Sequence, residues 1–239
     1  ELKQIGLNLL NPSVNISTNN FEIKDGDIIY PLKEIKGVNQ LTCESIINER
    51  NKNGLYKNYF DFVVRLFARL HRQYFNEDEF RLELEALVHA GALDEFHNSR
   101  ATLLANLRNA IQYANLLIGD DGQIHFDNIS FLPAPLMNEV EDNPLENIEN
   151  EFNVLGITLS DNPLNHKKDL IAEKKAISIS RIKENNRGIT VGFIKNIRNI
   201  RTKKKAIISI VDHMKEHAEG GLNYSKKCFL SHSDRLEDA

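Results

Sequence analysis

The sequence predicts an α+β chain, mainly helical: a tandem pair of helix-hairpin-helix units behind an N-terminal β-hairpin, then a connector and the start of a small β-barrel. Three observations predict it. Residues 31–50 place apolar side chains at helical spacing on both sides of Gly37. Leu82 to Asp94 repeats that arrangement around His89-Ala90-Gly91-Ala92. Apolar–polar alternation of the strand kind marks residues 21–30 and 189–210.

Residues 1–20 open with a short amphipathic piece and turn at Asn11-Pro12-Ser13, a loop signal. Phe21-Glu22-Ile23-Lys24 and Asp27-Ile28-Ile29-Tyr30 flank Asp25-Gly26, the signature of a hairpin with a primed turn. Leu32 and Ile35 then share one face of a short helix that Gly37 ends. Either Leu41 or Cys43, together with Ile46 and Ile47, forms the buried stripe of the next helix. A glycine between two short helices suits a tight hairpin that needs positive φ or close approach to a partner. Amides at the start of the second helix lack intrahelical acceptors, and the helix dipole favours an anion there. Lys33, Lys36, Gly37, Val38 and Asn39 are therefore candidate contacts to a DNA phosphate. Asn39 stands where such hairpins usually carry a second glycine, and Asn tolerates left-handed backbone. The plain alternative is an αα-corner with its lysines in solvent.

A helix with Phe62, Leu66 and Leu70 inward follows. The second hairpin, with Leu82, Leu84, Leu87 and Val88 before it, lacks flanking lysines. It is expected mainly to pack against the first, with Gly91 as its candidate DNA contact. A long helix begins at Asn98 or Ser99 as N-cap and runs to about Ile118, stopped by Gly119-Asp120-Asp121-Gly122. Residues 119–150 carry Pro133, Pro135 and Pro144 with little periodicity and read as an exposed connector, partly disordered. Glu151 to Leu159 reads as a short helix ending near Gly156, and Ile177-Ser178-Ile179-Ser180 alternates weakly. Ile189, Val191 and Phe193, then Ile207 to Ile210, read as two strands around a basic tip from Asn196 to Lys205. They would open a partial OB-type barrel whose remaining strands are not visible; barrels of this kind bind single strands. The tip and its flank offer Lys195, Arg198, Arg201, Lys203 and Lys204 as contacts.

The net charge is −4, so the chain as a whole is no basic polyanion binder; the charge is segregated instead. No Lys or Arg occurs between Arg108 and Lys167, a stretch rich in Asp and Glu, whereas Lys167 to Lys205 is strongly basic. No run of eighteen apolar residues occurs, so no membrane span is expected. Cys43 and Cys228 give no disulfide framework and fit a reducing cytoplasm. His213, His217, Cys228 and His232 lack zinc-finger spacing, and no metal site is expected. No P-loop, nucleophile elbow or dinucleotide fingerprint occurs.

Several pieces, in one order, resemble the C-family replicative polymerases, the bacterial DNA polymerase III alpha subunits. They are Asn11 to Ser17, the Phe21 hairpin, Leu32 to Val38, Phe60 to Arg65, Leu84 to Asp94, Leu155 to Leu164 and Thr190 to Ile194. The resemblance runs to about Asp212. It implies residues 1–30 as the end of a fingers region and 31–118 as the tandem DNA-binding module. Residues 119–165 would be a connector with a clamp-binding segment, 166–212 the start of the OB domain, and 213–239 an unassigned tail. It implies duplex and single-stranded DNA, the sliding clamp and other replisome subunits as partners, in the bacterial cytoplasm. The clamp segment would be Gln123, Ile124 and Phe126, with Ile129-Ser130-Phe131-Leu132 competing. Polymerase chemistry needs clustered aspartates holding two Mg²⁺ ions. In the family these lie upstream, so no catalytic residue and no cofactor is assigned to this chain. Two readings stand: a non-catalytic DNA-gripping part of the polymerase, or a segment whose main role is clamp docking. Asn39, Asn162 (where His is usual before Pro-Leu) and the tail after Asp212 depart from the family pattern.

Overall fold

The computed structural model describes residues 7–71, 76–119, 123–124, 132–177, 189 and 191, and the backbone of strands at 193–201, 207–217, 221–224 and 228–231. They divide between a unit spanning Leu7–Asp161 and a second that begins at Asn162, so the boundary falls inside the stretch read as connector.

In the first unit, β1 (Leu9–Leu10) pairs in parallel with β3 (Asp27–Ile29), which pairs antiparallel with β2 (Glu22–Lys24). The turn between β2 and β3 has Asp25 at φ 54° and Gly26 at φ 89°, the primed geometry that the Asp-Gly pair predicts. β1 is too short to show in the sequence pattern. One 3₁₀ turn, Leu32–Glu34, leads through Gly37 into α1 (Gln40–Asn53). On α1 the buried stripe is Cys43 and Ile46, while Leu41 is exposed, which settles the alternative left open by spacing. α2 (Tyr59–His71) is the central helix, apolar on nearly all sides, and packs on α1 and on α5. α3 (Glu77–His89) buries Phe80, Leu84 and Leu87, whereas Leu82 of the same run faces solvent.

The long helix expected from Ser99 is two: α4 (Arg100–Ala105) and α5 (Leu107–Leu117). Asn106 breaks it. Its buried side chain donates to the Thr102 carbonyl (2.8 Å) and the Asn138 carbonyl (2.9 Å) and accepts from the Asn138 N–H (2.9 Å). That pairing also removes the freedom expected of the connector, since residues 132–142 run back along α4 and α5. Tyr113 donates to the Leu132 carbonyl, Thr102 exchanges two bonds with Val140, and the Asp142 carboxylate accepts from Ala101 N–H (2.8 Å) and Arg100 N–H (3.2 Å). α6 (Pro144–Leu155) begins well before the Glu151 start expected, with Asn143 as N-cap and Pro144 in the first turn. It ends at Gly156, where φ is 75°.

The second unit contains a 3₁₀ turn (Pro163–Lys167), α7 (Lys168–Glu173) and a sheet. β4 (Phe193–Arg201) pairs antiparallel with β5 (Ile207–His217). β6 (Gly221–Tyr224) and β7 (Cys228–Ser231) share the opposite edge of β5, β6 along Met214–His217 and β7 along Ile208–Val211. Two expectations change here. Residues 196–201 are strand, so the basic tip is shorter than read, and residues 213–231, unassigned from sequence, supply half of β5 and two further strands. Strands of four residues are too short to show an alternation in the sequence. Of the weakly alternating stretch that starts at Ile177, Ser178 to Ser180 lie outside the described residues.

Candidate nucleic-acid interface

The first hairpin is built as the spacing predicts, with Leu32 and Ile35 buried beneath it and Gly37 at φ 92°. An added Cβ at Gly37 would sit 3.2 Å from the Ala86 Cβ, so both conformation and closeness to α3 require glycine. Lys33 and Lys36 are exposed, and among the described residues neither is held in an ion pair. The amides are partitioned more finely than the sequence suggests. Lys36 N–H is taken by the Val154 carbonyl (2.9 Å), Val38 N–H by Ile35 (3.3 Å) and Asn39 N–H by the Glu83 carboxylate (3.3 Å). The N–H groups of Gly37, Gln40 and Leu41 are left without an acceptor among the described residues. Gln40 and Leu41 open α1 and are both exposed.

Asn39 is not in the left-handed region. Its φ is −81°, and its side chain caps α1 by accepting from Thr42 N–H (2.8 Å). It stands where a second glycine is usual because it serves as N-cap. Thr42 in turn donates its hydroxyl to Glu83. Burial raises the Glu83 pKa above the ordinary carboxylate value, against the opposing hydrogen bonds from Thr42 and Asn39. Beside it, burial and the Glu83 charge push the Cys43 thiol up to about 11, leaving it an inert core group. Glu83 escaped sequence reasoning because it reaches the hairpin from α3, 44 residues away.

The second hairpin is closed. Gly91 is buried with φ 78°, and a Cβ there would meet Arg100 Nη2 at 2.3 Å, Asn11 Nδ2 at 2.7 Å and Asp94 Oδ2 at 2.8 Å. It packs, as the missing lysines suggest, and its place among the candidate DNA contacts is withdrawn. Arg100 fills the hairpin. It binds Asp94 through two nitrogens (2.9 and 2.7 Å), the His89 carbonyl (3.2 Å) and the fully buried Glu151 of α6 (2.8 Å). Burial pulls the guanidinium pKa down, but Asp94 and Glu151 more than reverse this and hold it above the ordinary value. Glu151 also accepts from Leu159 N–H, Ser160 N–H (2.9 Å) and Ser160 Oγ (2.6 Å). Together with Tyr30 Oη donating to the Leu155 carbonyl (3.1 Å), these bonds fix α6 against both hairpins. A segment read as linker is thus a structural part of the module.

Of the expected clamp segment, Gln123 and Ile124 turn back on α5. Gly119 N–H donates to the Gln123 carbonyl (3.1 Å), Ile118 and Ile124 form an antiparallel bridge, and Ile124 packs on the core. Ile124 is therefore not a free anchor. Phe126, and Ile129 to Phe131 of the competing segment, lie outside the described residues. Lys195 falls at a bulge in β4 between Ile194 and Asn196, Arg198 pairs in register with Ile210, and Arg201 with Ile207. Lys203 and Lys204 lie outside the described residues.

Residues 6–103 match the family model for the helix-hairpin-helix motif, which covers both hairpins. The chain is 32% identical over 223 residues to "DNA polymerase III subunit alpha" of Bacillus subtilis, covering 90% of this chain and 19% of that protein. It is 29% identical over 226 residues to the subunit of the same name from Buchnera aphidicola, covering 88% and 18%. The chain belongs to the DNA polymerase III alpha-subunit family. The Xylella fastidiosa alpha subunit shows 39% identity over 114 residues, 47% of this chain and 9% of that protein. The chain spans about a fifth of the length of the first two relatives.

Proposed function

We propose that this alpha-subunit segment holds duplex primer-template DNA without reading its sequence, within a replicative polymerase whose catalytic carboxylates and Mg²⁺ lie outside the segment. The observation that carries the reading is the first hairpin: Gly37 at positive φ, exposed Lys33 and Lys36, and the unclaimed amides of Gly37, Gln40 and Leu41 at the start of a fourteen-residue helix. Such a surface offers charge and N–H donors to a phosphate, while its two side-chain amides are engaged within α1, Asn39 accepting from Thr42 N–H and Gln40 donating to Glu44. Val38 and Asn39 contribute the hairpin's form, and Gly91 its support.

The β4–β7 sheet is proposed as the OB-type part, its basic strand and tip (Lys195, Arg198, Arg201, Lys203, Lys204) serving single-stranded DNA. Its antiparallel order and basic sequence support this. Docking on the sliding clamp through Gln123, Ile124 and Phe126 is the lesser reading, because Ile124 is already engaged by α5. A cytoplasmic setting with other replisome subunits as partners is proposed alongside, on the likeness to the alpha subunits. The test is duplex binding followed across salt concentrations with two unrelated sequences. The two should bind equally, and Lys33→Ala/Lys36→Ala should weaken both alike and flatten the salt slope by up to about two phosphate equivalents. A slope unchanged by the double substitution would reduce the hairpin to a structural element.

A further inference from the structure

We infer that Glu83 regulates the phosphate site of the first hairpin, as an internal carboxylate that holds the Asn39 N–H and sets a like charge behind the outer amides. The inference rests on the DNA-binding reading above. One carboxylate oxygen accepts from the Asn39 N–H and the other from the Thr42 hydroxyl. Asn39 is the N-cap of α1 and Thr42 its third residue, so both donors belong to the end of the helix that attracts anions. The carboxylate comes from α3 and is only 7% exposed, and among the described residues no Lys or Arg pairs with it. A buried charge held by hydrogen bonds alone is a poor device for stability, since a neutral amide could accept from the Asn39 N–H and donate to the Thr42 hydroxyl, turned to accept, without the desolvation cost. Its negative charge acts on what approaches the hairpin. With Glu83 in place, a phosphate is confined to the outer amides of Gly37, Gln40 and Leu41 and to the two lysines, and it meets a like charge behind them. The grip is thereby held below what the hairpin could give. That suits contacts which must break and reform as each phosphate passes.

The experiment compares duplex binding by the full chain and by Glu83→Gln, Thr42→Val and Lys33→Ala/Lys36→Ala, with a thermal melt of each. Glu83→Gln should bind about fivefold more tightly at low salt, the gain shrinking as salt screens the removed charge. Thr42→Val loosens the same hydrogen bond but keeps the charge, and should bind no more tightly than the parent. If Glu83→Gln melts too early to measure, Glu83→Met carries the same expectation. Unchanged or weaker binding by the Glu83 variants, alongside loss in the lysine variant, overturns the inference and leaves the DNA-binding reading standing. Binding indifferent to the lysines overturns that reading, and the inference with it.

Discussion

Glu151→Ala probes how far the α6 segment is a part of the DNA-binding module. The carboxylate is fully buried and faces an Arg100 side chain that is 6% exposed. Removing one partner of such a pair leaves an uncompensated charge and costs about 3–5 kcal/mol. Arg100 retains Asp94, which lowers the penalty, while the loss of acceptors for Leu159 and Ser160 raises it, so about 4 kcal/mol is expected. Against a total of about 5–15 kcal/mol for a domain, that is a large share. For a unit of this size it lowers the melting temperature by roughly 8–16 °C. Asp94→Ala is the comparison: the Asp94 side chain is 42% exposed, and its loss should cost about 1 kcal/mol. Circular dichroism of the helical signal, on heating and in urea, reads both. Equal shifts for the two variants, or a loss under about 1 kcal/mol for Glu151→Ala, would refute the assignment of α6 as a structural strut.

Glycine substitutions should separate the two hairpins. Gly37→Ala has a left-handed φ and one close neighbour and should cost about 1–2 kcal/mol in urea unfolding, whereas Gly91→Ala also drives into the Arg100–Asp94 pair and should cost about 2–4 kcal/mol. The Asp142 carboxyl should show itself in acid. Partial burial raises its pKa, but hydrogen bonds from Ala101 N–H, Ser99 Oγ and Arg100 N–H outweigh this and hold it below the ordinary value. A depressed folded-state pKa gives stability that is complete above the unfolded value of about 3.9 and is lost as pH falls through the folded one. Asp142→Asn should therefore be less stable at neutral pH and show a shallower loss below about pH 4 in pH-dependent melts.

Much of the first unit is local information. Asp25-Gly26, the Leu32–Ile35 pair, Gly37, Ser99 and Gly156 each act on their own neighbours, and the turn, hairpin, cap and helix end are where those residues place them. What escaped is carried by partners distant in sequence. Asn106 looks like any helical residue until Asn138 returns to pair with it, and Glu83 looks like a solvent-facing acid of α3 until α1 meets it. The acidic connector misled for the same reason: Asp142, Asn143 and Glu151 are caps and ion-pair partners, a use that charge runs do not disclose. Asn39 offered a readable signal, since Asn three residues before Thr42 is an N-cap pattern as well as a glycine substitute. The four-residue strands β6 and β7 offered none.

The central claim is that DNA meets the first hairpin through the outer amides of α1. Amide chemical shifts of the ¹⁵N-labelled chain, followed as a short duplex is added, test it most directly. The largest shifts are expected at Gly37, Gln40 and Leu41, with Asn39 moving less because Glu83 holds its N–H, and Gly91 to Leu93 unmoved. Shifts centred on Gly91 to Leu93 instead, or absent from Gln40 and Leu41 at saturating duplex, would contradict it.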